Sequence, residues 1–102
     1  MSEYDIDEKV RSKSRLKLRP PSNYKVLLHN DNYTTMEFVV YVLEKVFNKS
    51  LNEATKIMMH VHTNGIGVCG SFTYEIAEMK VESVHVLAEQ YEFPLPASME
   101  EN

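Results

Sequence analysis

NDNYTTMEF, residues 30–38, is the junction between a predicted strand and a predicted helix, and the rest of the chain is arranged around it. The apolar run at residues 26–28 ends just before it, and Thr34 stands three residues ahead of Glu37. This spacing is typical of a capping box, in which the two side chains satisfy backbone N–H groups at the start of a helix. We therefore predict that a strand delivers the polar groups of Asn30-Asp31-Asn32 to the start of a helix, beside Met36. Such an arrangement suits a ligand with one cationic end and one apolar end.

Hydrophobic periodicity on both sides of this junction predicts the fold. The predicted elements are, in order, a strand at 24–29, a helix from Thr34 to about Phe47, a helix from its cap Ser50 to Gly65, a strand at 66–72, a helix from its cap Thr73 to just before Pro94, and a strand at 95–99. The first strand is mostly apolar, which favours a central position, and Pro96 confines the last one to an edge. The order β-α-α-β-α-β predicts an α+β fold, a single-domain α/β sandwich with three helices packed on a small antiparallel sheet.

Each predicted helix has an apolar stripe that faces the sheet or a neighbouring helix. The stripes comprise Phe38, Val39, Val42, Leu43, Val46 and Phe47 on the first helix; Leu51, Ala54, Ile57, Met58 and Val61 on the second; and Ile76, Ala77, Val81, Val84 and Ala88, with the stem of Lys80, on the third.

The length and composition predict one small domain in the cytoplasm. The chain has 102 residues, no stretch approaching the roughly 20 apolar residues of a membrane span, and an acidic first ten residues without the apolar core of a secretory signal. Its single cysteine, Cys69, cannot form an internal disulfide, which favours a reducing compartment. We expect no association with a membrane.

Charge divides the chain into an arm and a body. Residues 1–19 carry a net charge of +2, and the remainder carries −6. The arm has few apolar residues to bury and is predicted to be disordered, either as a solvated tail or as a segment that engages an acidic partner. The folded domain is predicted at 20–99, with a tail at 100–102. The acidic body would repel phosphates, so we expect no nucleic-acid partner.

Three apparent motifs have better structural explanations. The glycines at 65, 67 and 70 match G-x-G-x-x-G, but a helix precedes them and a strand contains them, the reverse of the dinucleotide-binding order. Close approach of the backbone and helix termination explain these glycines better. His60 and His62 are two residues apart on a helix and point about 200° away from each other, so they do not suit a shared metal. Cys69 lies in an apolar strand without a recognisable base. We therefore predict no enzyme activity, no cofactor and no metal.

One cluster on the two N-terminal helices remains. Met58, Val61 and His62 share a face of the second helix by their i, i+3 and i+4 spacing, and Met36 and Val39 share a face of the first. If the two helices pack as a hairpin, these side chains form either ordinary core or an apolar pocket beside the Asn-Asp-Asn loop. Methionine suits a pocket wall because its side chain adapts to guests of different shape.

Several uncommon strings, in order, resemble the ClpS family of bacterial Clp protease adaptors. They are PPSNYKVLLHNDNYTTMEFVVYVL at residues 20–43, MMHVH at 58–62, CGSFT at 69–73, the stretch from Glu75 to Lys80, and Pro94-Leu95. The resemblance covers the chain except for the arm and the last few residues. It implies an adaptor that binds proteins whose N-terminal residue is Leu, Phe, Tyr or Trp, and that delivers them to the ClpA ATPase of the ClpAP protease.

The resemblance also assigns residues. It implies that the α-amino group is held by Asn30, Asn32 and His62, with Asp31 in the same acidic loop; that the side-chain pocket is formed by Thr34, Met36, Val39, Met58, Val61 and Leu95; and that Tyr33, Glu75 and Lys80 lie on the ATPase-binding face. The implied partners are the N-terminal domain of ClpA and N-degron substrates, bound by a protein that is a monomer when free.

Two positions depart from the family pattern. The family usually has aspartate at the position of Asn32, and proline at the position of Thr35, the first residue of the predicted helix. An alternative resemblance is to the C-terminal domain of the ribosomal stalk protein, a structural interaction module with the same order of elements and no peptide pocket. The Asn-Asp-Asn loop facing Met58 and His62 distinguishes the two, because a stalk module has no need of it.

Overall fold

A computed structural model of the chain describes residues 22–102, and it contains the six predicted elements in the predicted order. They are β1 (Asn23–His29), α1 (Met36–Phe47), α2 (Leu51–Asn64), β2 (Ile66–Thr73), α3 (Tyr74–Gln90) and β3 (Ala97–Glu101). The predicted α+β fold is confirmed, with three helices and a three-stranded antiparallel sheet. The arm predicted at residues 1–19 lies outside the described residues.

Strand β1 is central, as its apolar composition predicts. The strand order is β2-β1-β3, and both pairs are antiparallel. Val26 and Leu28 are fully buried and belong to the main core cluster, because alternate residues of a strand face the same side of the sheet. Leu27 is also buried but lies outside that cluster.

A β-bulge in β2 changes which of its residues face the core. Val26 pairs with Gly70 and Leu27 pairs with Val68, so Cys69 is an extra residue without a partner in the register. Up to and including the bulged residue, the buried positions are Gly67 and Cys69. After it the inward positions shift by one residue, and Phe72 packs against the core, with its ring centroid 6.2 Å from that of Phe47.

Strand β3 is an edge strand, as predicted, but it begins and ends later than the sequence indicated. Pro96 precedes it, and the Pro96 carbonyl accepts a hydrogen bond from the His29 N–H at 3.0 Å. The strand continues to Glu101, which pairs with Tyr24. Residues 100 and 101 therefore belong to the sheet and not to the tail predicted at 100–102.

The helices bury most of the predicted stripes, with two exceptions. Leu51 is 62% exposed, because it is the first residue of α2 and the helix first reaches the core one turn later, at Ala54. Ile76 is 42% exposed, since the buried face of α3 passes through its neighbour Ala77 and then Val84. Within residues 22–102, no helix has the length and apolar character needed to cross a membrane.

Candidate functional site

The loop after β1 is held against the end of α2 by the backbone. The Asn30 N–H donates to the Gly65 carbonyl at 2.8 Å, and the Gly65 N–H donates to the Val61 carbonyl at 2.9 Å. Gly65 ends α2 with φ 87°, a left-handed conformation that glycine adopts without a steric penalty. These bonds place Asn30 beside the last turn of α2, which carries Val61 and His62. The sequence predicted Gly65 as a helix terminator but gave no signal for its bond to Asn30.

Asp31 organises the loop from within. Its Oδ2 accepts hydrogen bonds from the Tyr33 N–H and from the Thr34 hydroxyl, each at 3.0 Å. Such bonds from an aspartate to residues shortly after it are typical of an Asx-turn. Asp31 therefore fixes the loop that also carries Asn32.

The N-cap of α1 is Thr35, and the capping box predicted for Thr34 and Glu37 is wrong. The Thr35 hydroxyl accepts from the Phe38 N–H at 3.1 Å, and α1 begins at Met36. The prediction failed because the Thr34 hydroxyl is already bonded to Asp31. Thr35 is consequently not the first helical residue, and it satisfies an N–H group of the first turn with its own side chain.

The loop, α1 and α2 enclose a cavity of about 180 Å³. It is lined by nine of the ten residues predicted for the amine site and side-chain pocket, namely Asn30, Asp31, Asn32, Thr34, Met36, Val39, Met58, Val61 and His62. The residues with low exposure form the floor, which is apolar: Val39 at 7%, Met58 at 8% and Val61 at 2%. The exposed residues form the rim, where Asn30, Asn32 and His62 supply polar groups and Met36 supplies a thioether. The cavity therefore has a polar entrance and an apolar interior.

Leu95, the tenth predicted residue, does not line this cavity. It is 2% exposed and belongs to the same buried cluster as Val39, Met58 and Val61. Its position just before Pro96 and β3 places it in the core. Leu95 therefore supports the cluster that forms the floor and does not itself line the cavity.

Gly67 fixes the position of the cavity floor from behind. A Cβ atom at this residue would lie 2.6 Å from Cγ2 of Val61, a distance shorter than van der Waals contact. Strand β2 can therefore approach α2 closely only because residue 67 has no side chain. The close approach of the backbone predicted for these glycines is confirmed at Gly67, but the identity of the neighbour, Val61, depends on how β2 and α2 pack and was not predicted.

The three residues predicted for an ATPase-binding face lie outside the cavity. Tyr33 is 81% exposed at the tip of the loop, and Glu75 is exposed in the first turn of α3. The Lys80 ammonium donates to the Val46 carbonyl at 2.7 Å, near the end of α1, and lies 5.7 Å from the centre of the Phe72 ring. Lys80 thus joins α3 to α1, whereas Tyr33 and Glu75 extend into solvent.

Cys69 and His60 carry side chains that could be reactive, but both lie outside the cavity and have structural roles. Burial raises the pKa of the Cys69 thiol from 9.0 to about 12, although the charge of Lys49 acts in the opposite direction, so the thiol stays protonated at neutral pH. His60 contacts the Asn64 side chain through Nδ1 at 2.8 Å, while His62 lies at the cavity. Across residues 22–102, no three His, Cys, Asp or Glu side chains come close enough to hold a metal ion together.

Comparison with known proteins identifies the family. Residues 19–98 of this chain match the sequence model of a protein family, whose description is ATP-dependent Clp protease adaptor protein ClpS. The chain belongs to the ClpS family. An ATP-dependent Clp protease adapter protein ClpS from Myxococcus xanthus is 52% identical over 98 residues, which cover 96% of this chain and 92% of that protein. The ClpS of Parvibaculum lavamentivorans is 56% identical over 91 residues, covering 89% of this chain and 83% of the relative.

A solved ClpS structure confirms the fold. The structure of Agrobacterium tumefaciens ClpS2 bound to L-phenylalaninamide matches with a TM-score of 0.79 and 37% sequence identity, covering 81% of this chain and 100% of that one. As a member of the ClpS family, the chain is an adaptor of the Clp protease and not the protease itself. Family membership also excludes the alternative of a ribosomal stalk module, which rested only on the order of helices and strands.

Proposed function

We propose that this ClpS protein binds polypeptides that begin with a bulky apolar residue and delivers them to the ClpA ATPase of the ClpAP protease. The observation that carries the proposal is the cavity, which joins a polar entrance to an apolar interior in about 180 Å³. A free polypeptide N-terminus presents the matching pair of groups, an ammonium and a side chain attached to the same Cα atom.

The polar rim suits the ammonium. An α-amino group has a pKa near 8 and is mostly protonated at neutral pH. Three side chains at the rim can accept hydrogen bonds: Asn30 and Asn32 through their amide oxygens, and His62 through an unprotonated ring nitrogen. The Asp31 carboxylate adds negative charge. Hydrogen bonds to a charged group contribute about 1.5–3 kcal/mol each. An acetylated N-terminus or an internal residue cannot donate them, so the site would recognise chain ends.

The apolar floor suits a Leu, Phe, Tyr or Trp side chain. Transfer of such a side chain from water to Val39, Met58 and Val61 would contribute roughly 25 cal/mol per Å² of apolar surface buried. L-phenylalaninamide, the ligand of the Agrobacterium ClpS2 structure, has an amino group and a benzyl side chain in this relation. That likeness supports the assignment of the same chemistry to this chain.

Peptide binding is tested by fluorescence anisotropy with labelled peptides that differ only at the N-terminus. Peptides beginning with Leu, Phe, Tyr or Trp should bind, and acetylation should weaken each by at least about tenfold, since it removes charge-assisted hydrogen bonds. A peptide beginning with Val, which is shorter and β-branched, should bind more weakly than one beginning with Leu. Equal affinity for acetylated and free peptides would rule out recognition of the chain end.

Delivery to ClpA is tested separately through Tyr33 and Glu75. Both are exposed and neither lines the floor of the cavity. The double variant Tyr33→Ala, Glu75→Lys should retain affinity for a Phe-initiated peptide but lose binding to ClpA and degradation of a Phe-initiated reporter by ClpAP. Unchanged degradation would show that the ATPase contacts another surface.

A further inference from the structure

The methionines of the described residues differ in where they lie and how far solvent reaches them. Met36 and Met58 line the cavity, Met36 at 42% exposure and Met58 at 8%. Met59 and Met79 are exposed to a similar or greater degree, at 44% and 63%, but lie outside the cavity, as does the partly buried Met99. Among residues 22–102, Met36 is therefore the methionine that is both open to solvent and part of the cavity wall.

The single cysteine does not compete with this thioether for oxidants. The thiolate is the form of cysteine that reacts with peroxides, and burial keeps the Cys69 thiol protonated. Cys69 is also only 1% exposed, so a peroxide in solution has little access to it. The exposed methionine side chains are the more accessible targets.

We propose that Met36 is a site of reversible oxidation that controls the binding of N-terminal side chains, an inference that rests on the proposed function. The oxidant is hydrogen peroxide. The Met36 sulfur attacks one peroxide oxygen with a lone pair, an S–O bond forms as the O–O bond breaks, and water leaves once the proton has been transferred. The sulfur loses two electrons and the peroxide gains them. Methionine sulfoxide reductases reverse the change.

The sulfoxide would change the cavity at its entrance. Oxidation converts a flexible apolar side chain into a polar one. A bulky apolar guest would then either cover the sulfoxide oxygen, which loses its hydrogen bonds to water, or displace the Met36 side chain from the wall. Both outcomes weaken apolar contacts while leaving Asn30, Asn32 and His62 unchanged. Oxidation should therefore weaken binding through the side chain of the guest and not through its amine.

The test combines mass spectrometry with peptide binding. The folded protein is treated with hydrogen peroxide, sulfoxide at each methionine is measured by peptide mapping, and the Kd of a Phe-initiated peptide is measured before and after treatment. We expect Met36 to be oxidised before Met58 and the Kd to rise at least about fivefold, as for a polar group placed in an apolar site. Treatment with methionine sulfoxide reductases A and B should restore the original Kd.

Matched variants assign the effect to one sulfur. In Met36→Leu, whatever its starting affinity, the ratio of Kd after and before peroxide should be close to one. In the double variant Met59→Leu, Met79→Leu, the ratio should equal that of the original protein. A full ratio in Met36→Leu, or a ratio near one when Met36 is shown to be oxidised, would overturn the inference. No binding before oxidation would instead contradict the proposed function, and the inference with it.

Discussion

Asn32 brings a carbonyl oxygen to the rim of the cavity, but no charge. The variant Asn32→Asp would add a full negative charge at about the distance of a hydrogen bond from a bound ammonium. At about 4 Å this is worth about 1 kcal/mol in water and about 4 kcal/mol at an effective dielectric constant of 20. We predict that the Kd for a free Phe-initiated peptide falls at least about fivefold in anisotropy measurements, and that the acetylated peptide is unaffected.

The control for Asn32 is Asn52→Asp, which adds the same charge in the first turn of α2, at the end away from the cavity. It should leave both peptides unchanged. Tighter binding of the acetylated peptide to Asn32→Asp, or an equal gain in Asn52→Asp, would show that the added charge does not act on the amine.

His62 brings a hydrogen-bond acceptor to the rim of the cavity. A neutral imidazole presents one ring nitrogen that can accept a hydrogen bond from an ammonium. We therefore predict that His62→Leu, which removes the acceptor, weakens the binding of a free Phe-initiated peptide by at least about tenfold. Isothermal titration calorimetry measures the loss.

The neighbouring histidine provides the comparison. His60 lies outside the cavity and contacts Asn64, so His60→Leu should keep the original affinity. An unchanged affinity in His62→Leu would remove His62 from the role that we assign to it.

At the scale of elements, Gly67 allows β2 to lie close to α2. In Gly67→Ala the new methyl group would meet Cγ2 of Val61 at 2.6 Å, and Val61 or the strand must move. Overpacking of this kind typically costs about 1–3 kcal/mol. We predict that urea unfolding shows a loss of stability in this range, and that the Kd of the Phe-initiated peptide rises because Val61 is displaced into the cavity.

The control for Gly67 is Ser71→Ala, an exposed position on the same strand. It should alter neither property by more than about 0.5 kcal/mol, as for most surface substitutions. If Gly67→Ala lost stability but kept the original Kd, the strand would have moved away from α2 and Val61 would have kept its place.

The elements also show what could be predicted from the sequence. The fold, the central position of β1 and the nine residues that line the cavity were predictable, because periodicity places the helix residues on faces and the resemblance names the same residues. The N-cap of α1 was not, since two adjacent threonines can each cap a helix and only the loop shows that Thr34 is bonded to Asp31. The bulge at Cys69 and the burial of Leu95 depend on contacts between distant segments, which no local pattern reports.

At the scale of the whole molecule, Cys69 links stability to pH. Its thiol ionises near pH 9.0 in the unfolded chain, but burial raises its pKa to about 12 in the folded one. Between these values the unfolded state loses the proton while the folded state keeps it, so the free energy of unfolding decreases as the pH rises through this range. Below pH 9 the contribution is complete. We predict a decrease of at most about 1.4 kcal/mol per pH unit.

Urea titrations at pH 7 to 10.5 measure this decrease against Cys69→Val, which has no ionisable group at that position. The pKa values of Tyr74 and Tyr91 are raised by hydrogen bonds to Glu78 and Tyr41, respectively, and these groups titrate in both proteins. The difference between the two stability curves should therefore report Cys69 alone. Parallel curves would show that the folded thiol ionises as readily as the unfolded one.

The bond between the Asn30 N–H and the Gly65 carbonyl joins two backbone atoms and makes no demand on the side chain of residue 30. Substitution at this position can therefore change the chemistry of the entrance without moving the loop that carries it, and proline alone is excluded, because it has no N–H to donate. The side chain that sets the selectivity of the entrance can thus be changed without changing the backbone that positions it. A lineage of such proteins, or a library built on this one, could acquire preferences for different N-terminal residues on the same backbone.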